Sequence, residues 1–67
     1  MKTFTIESIE QFNILAARLR EKGYKPSWQY QDDNGFHTWF AKAGKTDIEV
    51  VTHSEEVRKA ITKIGAT

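Results

Sequence analysis

Two histidines, His37 and His53, are the side chains of this 67-residue chain best suited to move a proton near neutral pH, and it has no cysteine to act as a nucleophile. An imidazole titrates near pH 6.5 when unperturbed and can serve as general acid or base on a phosphodiester, as a metal-independent ribonuclease requires. His37 lies in the run Asp32-Asp33-Asn34-Gly35-Phe36-His37-Thr38-Trp39-Phe40, where a polar turn abuts a histidine flanked by large aromatics. It is the candidate catalytic residue, against the plainer reading of a packed or surface histidine. The two histidines fall in different elements without a convincing third ligand, so no metal site is expected. Gly44-Lys45-Thr46 matches only the tail of a Walker phosphate loop. The carboxylates spread over helix starts and turns, without the pairing a glycosidase uses. No cofactor is implied.

Ten basic residues against nine acidic ones give a formal charge of +1. Such a chain has no global field that announces nucleic acid, and binding to phosphates would need a local patch. Lys42 and Lys45, with Arg58, Lys59 and Lys63, are the residues available for one. Trp28, Tyr30 and Trp39 are the candidates for a protein interface, because tryptophan and tyrosine so often dominate interface energetics. The absence of cysteine fits a reducing compartment. The longest strongly apolar run, Ile14-Leu15-Ala16-Ala17, is far short of the ~20 residues of a membrane span, and MKTFTIESIE is too acidic for a signal peptide. A cytoplasmic protein without a membrane partner is expected.

The elements that must position these side chains follow from hydrophobic period. Ile9, Phe12, Leu15, Ala16 and Leu19 recur at helical spacing after the N-cap Ser8, with Gln11 as capping-box partner and Gly23 as terminator, which predicts a helix over 9–22. Tyr24, Pro26, Trp28 and Tyr30 then alternate as in a strand, safest over 27–31, with Pro26 at its start or on a sheet edge. Asn34-Gly35 signals a tight turn with positive φ angles. A second strand over 36–41, a turn at Ala43-Gly44-Lys45-Thr46 and a β-branched third strand over 47–51 complete a meander. Thr52 or Ser54 caps a second helix, carrying Val57, Ala60, Ile61 and Ile64 on one stripe and ending at Gly65. Phe4 and Ile6 read equally as a short extra N-terminal strand or as a hydrophobic staple.

The sequence thus predicts a single compact α+β domain over residues 1–67, ordered α-β-β-β-α, with two helices on one face of a three-stranded antiparallel sheet. The other face meets water. In the second strand Phe36, Thr38 and Phe40 point one way and His37, Trp39 and Ala41 the other, so one ring set belongs to the core and the other to the open face.

This order of elements resembles the double-stranded-RNA-binding-domain fold and, among small chains, the HicA family of toxin ribonucleases. The residues concerned are Leu19-Arg20-Glu21-Lys22-Gly23-Tyr24, Gly35-Phe36-His37, Val50-Val51-Thr52-His53, Val57-Arg58-Lys59-Ala60-Ile61 and Ile64-Gly65. The resemblance implies an RNA-associated protein in which His37 takes the place of the family's catalytic histidine, or an inactive relative. Phe36 stands where that family carries serine. Glu55-Glu56 open the second helix where the double-stranded-RNA module has a lysine-rich phosphate-binding motif. The alternative is a non-enzymatic protein-interaction module, an inhibitor or accessory subunit, using an exposed aromatic sheet face. A homodimer through that face is its simplest variant.

Overall fold

The computed structural model describes residues 2–65. Its elements are β1 (Lys2–Thr5), α1 (Ile9–Glu21), β2 (Lys25–Asp32), β3 (Gly35–Lys42), β4 (Lys45–Thr52) and α2 (Glu55–Gly65). The sheet runs β1-β4-β3-β2, so the expected antiparallel meander is present and gains a fourth strand. β1 lies parallel to β4, with Phe4 beside Val50, and Ile6 prolongs the pairing by donating its N–H to the Val51 carbonyl at 2.9 Å. The segment left open between strand and staple is therefore a strand. Among the described residues no helix is long and apolar enough to cross a membrane.

Both helices start where their hydroxyl caps put them. Ser8, extended at φ −118° and ψ 135°, accepts from the Gln11 N–H at 3.5 Å. Ser54 accepts from the Val57 N–H at 3.2 Å, while Thr52 supports it by accepting the Ser54 N–H at 3.0 Å. Past the end of α1, the C-cap Lys22 is followed by Gly23, whose φ of 86° lets the chain reverse, and the Tyr24 N–H closes back on the Leu19 carbonyl at 2.9 Å. The apolar stripes of both helices then meet one sheet face. Phe12, Leu19, Val57 and Ile61 form a buried core with Ile6, Phe40 and Val50. Each side chain of this size contributes about 1.5–3 kcal/mol when wholly buried.

The two hairpins differ from each other. In the β3–β4 turn Ala43 and Gly44 both take positive φ, 49° and 85°, between the paired Lys42 and Lys45. The β2–β3 turn centres on Asp33-Asn34, one residue earlier than the Asn-Gly signal suggests, because Asp32 Oδ1 accepts the Asn34 N–H at 2.9 Å and starts the reversal. Asn34 does not adopt a positive φ; Gly35 does, at 126°.

Candidate functional site on the open sheet face

Register decides which rings are left outside. Phe40 and Thr38 face the helices and are buried, whereas His37 and Trp39 lie on the uncovered side, opposite Tyr30 and Trp28 of β2. A bulge between Pro26 and Trp28 sets this phase, so that Pro26 still pairs with Phe40 on the helix side. The result is a continuous stack of rings across the open face. Trp28 stacks on Trp39 with centroids 6.1 Å apart, and on Tyr30 at 5.2 Å. Tyr30 in turn covers the His37 ring at 4.4 Å, the planes only 6° apart. Trp28 remains 52% exposed and Tyr30 37%.

Beneath Tyr30, His37 is held on both sides. Its Nδ1 lies 2.9 Å from Glu49 Oε2 on β4, and its Nε2 lies 2.7 Å from Asp32 Oδ1 at the end of β2. A neutral imidazole has one N–H and cannot donate to both carboxylates; the imidazolium can. Glu49 also accepts from the Tyr30 hydroxyl at 3.3 Å and from the Thr3 hydroxyl at 3.0 Å, so one carboxylate ties all four strands together. Burial works against the charge on His37, but its bonds to Glu49 and Asp32 outweigh that and raise its pKa above the ordinary 6.5. Burial likewise pushes Glu49 up, while His37, Thr3 and Tyr30 together pull it below 4.5. Asp32 is lowered chiefly by its bond to His37. Burial and the nearby Glu49 raise the Tyr30 phenol. Among the described residues the buried Trp39 Nε1 has no hydrogen-bond partner, and Trp39 acts on the Tyr30 phenol in the opposite sense to Glu49, lowering its pKa.

This arrangement gives His37 little to offer a substrate. Both nitrogens are engaged, one ring face is roofed by Tyr30, and the residue is only 7% exposed. The carboxylates approach from opposite edges of the ring, and among the described residues no group of three His, Asp or Glu side chains is placed to hold a metal ion. The second histidine, His53, belongs to a different cluster. Glu7 receives the His53 backbone N–H and lies 3.1 Å from its Nδ1, and that backbone bond is the main reason the Glu7 pKa is lowered.

The five cations picked out from the sequence are not brought together. Lys42 and Lys45 flank the β3–β4 turn, with Lys42 Nζ 5.8 Å from the centre of the Tyr24 ring. Arg58 sits towards the other end of the sheet, paired to Glu55 and over the Phe36 ring. Lys63 lines a groove between the helices with Arg20, and Lys59 is exposed on α2. By contrast Trp28, Tyr30 and Trp39 do form one surface. The partnership of Asp32 and Glu49 with His37 escaped the sequence reading, which had scattered the carboxylates over turns and helix starts. The available signal was Glu49 itself, a lone charge inside the apolar run Ile48-Glu49-Val50-Val51. Comparison with family models, curated proteins and solved structures returns no match for this chain.

Proposed function

We propose that the chain is a non-enzymatic protein-interaction module that docks a partner protein on the open sheet face, with Trp28 as the anchor. The observation that carries this reading is a half-exposed tryptophan held rigid between Tyr30 and Trp39. A stacked ring has already lost its rotamer freedom, so its burial against a partner costs less ordering entropy. The surface beside it is acidic: His37 as imidazolium cancels one of the two carboxylates of Asp32 and Glu49 and leaves the other. That favours a protein segment presenting apolar and basic side chains over a phosphate backbone. The lack of cysteine is in keeping with action in the cytoplasm.

The test is partner capture by cross-linking in cell extract, followed by titration with the purified partner. Trp28→Ala should weaken binding by about 2 kcal/mol or more, roughly thirtyfold, with an unchanged circular dichroism spectrum. Unchanged affinity would overturn the assignment. RNA binding that falls steeply between about 50 and 200 mM salt, survives Trp28→Ala and is lost in Lys42→Glu/Lys45→Glu would identify a nucleic-acid protein instead. Growth arrest on expression that His37→Gln relieves would identify a HicA-like nuclease.

A further inference from the structure

The open face borders on a strand whose outer edge pairs with no other strand among the described residues. β2 is the last strand of the sheet, eight residues long, and only Pro26 along it is even half-buried. Exposed edges of this length are normally blunted by charge, proline or a bulge, because their free N–H and C=O groups template pairing with another chain. Here Pro26 and the adjacent bulge protect only the beginning. From Trp28 to Gln31 the edge carries no charge and no proline. The opposite edge, β1, has four residues.

The ends of β2 bear opposite charges. Lys25 opens it, close to Lys22 in sequence and paired with Ala41 beside Lys42; Asp32 closes it and Asp33 follows in the turn. We infer that this edge pairs antiparallel with the same edge of a second copy, about a two-fold axis at Gln29, joining two sheets into one of eight strands. The register follows from the side chains. Centring on Gln29 sets Trp28 against the partner's Tyr30 on the same face, extending the ring stack across the junction, and brings the basic Lys25 end of each copy towards the acidic Asp32-Asp33 end of the other. A one-residue slip would set Trp28 against a glutamine whose side chain points to the helix side, since side chains alternate along a strand. On the helix side, the groove lined by Pro26, Ser27, Thr62 and Gly65 lies where the partner's Gln31, facing Ser27, would enter. An isologous interface of this kind closes with two copies and forms no fibre. It uses the strand edge and leaves both open faces free for the docking function.

Because the chain has no cysteine, single cysteine variants report the pairing directly. Gln29→Cys should be captured as a covalent dimer under mild oxidation, since directly opposed residues place their Cα atoms about 4.5–5.5 Å apart, within disulfide range. Gln31→Cys should not, because its copies would lie about four residues apart along the ladder, roughly 13 Å. The cysteine-free protein should sediment as a concentration-dependent dimer. Gln29→Lys/Gln31→Lys, which keeps every backbone donor, should raise the dimer dissociation constant at least tenfold with the helical spectrum intact. A monomer at every concentration up to millimolar, or cross-linking at position 31 equal to that at 29, would overturn the inference. A monomer whose partner binding still depends on Trp28 would overturn the pairing alone and leave the docking face standing.

Discussion

His37 shows how one residue can be chemically conspicuous and structurally committed at once. Its two carboxylate partners require a charged ring, so its linkage to folding has two edges in pH. The His37 pKa is raised, so its contribution is complete below the ordinary 6.5 and is lost as pH rises through the raised value. Asp32 and Glu49 are lowered, so theirs is complete above 3.8 and 4.5 and is lost as pH falls through the lowered values. The cluster therefore stabilises most between 4.5 and 6.5. His37→Gln should cost about 1–3 kcal/mol in urea unfolding within that window, with the difference from wild type narrowing on either side. A difference that stays flat up to about pH 9 would show that the ring carries no extra proton. On the other sheet face Thr38 makes the opposite case. It is wholly buried and its hydroxyl has no hydrogen-bond partner among the described residues. Thr38→Val keeps the shape and removes a desolvated polar atom, so it should stabilise by about 1 kcal/mol and shift the urea midpoint upward.

At the level of elements, local signals were legible where local physics decides. Ser8 and Gly23 bound α1 as their capping chemistry requires, and Ser54 outcompetes Thr52 because its hydroxyl meets the Val57 N–H. The alternation of β3 likewise named its two ring sets correctly, whereas the single face read from Tyr24, Pro26, Trp28 and Tyr30 in β2 is split by the bulge, which leaves Tyr24 and Pro26 on the helix side and Trp28 and Tyr30 on the open one. What period alone left open was which set faces the helices, a matter of register between strands. The parallel pairing of β1 with β4 was beyond local reach as well, since α1, β2 and β3 intervene. The Asp-Asp-Asn-Gly turn shows a finer limit. Its position was legible, but the Asp32 side chain, shared between the Asn34 N–H and His37, places the reversal one residue earlier, at Asp33-Asn34, and leaves the positive φ to Gly35. Gly35 is also hemmed in: a Cβ there would stand 2.9 Å from the Thr52 carbonyl and 3.2 Å from His53 Nε2. Gly35→Ala should therefore destabilise by roughly 1–3 kcal/mol through backbone strain and displacement of β4, whereas Asn34→Ala should cost less. Thermal unfolding of the two variants side by side checks the order, and an equal loss would show that Gly35 carries no special strain.

On the scale of the whole molecule, a formal charge of +1 hides a separation of sign along the strands. Glu7, Asp32, Asp33, Glu55 and Glu56 gather where β2 ends and both helices begin, as the bonds of Glu7 to His53 and the pairing of Asp32 with Gly35 fix. Arg20, Lys22, Lys25, Lys42 and Lys45 gather at the opposite end, where α1 stops against the β3–β4 turn and a side-chain carbon of Lys42 lies 3.9 Å from where a Cβ on Gly23 would stand. Carboxylates at helix starts and cations at helix ends each favour the helix dipoles, so folding alone gives part of this polarity. Its consequence for assembly is orientation. Two copies meeting along β2 attract when antiparallel and repel when parallel, and the attraction acts over a Debye length of about 10 Å at 0.1 M salt. Lys25→Asp alone or Asp33→Lys alone should then raise the dimer dissociation constant about threefold to tenfold, the range of two exposed ion pairs lost by symmetry. The double exchange restores opposite charges across the axis and should recover most of the loss, with all differences shrinking as salt rises. Sedimentation equilibrium of the four proteins at low and high salt reads this out, and a double exchange no tighter than either single variant would show that the charges do not face each other.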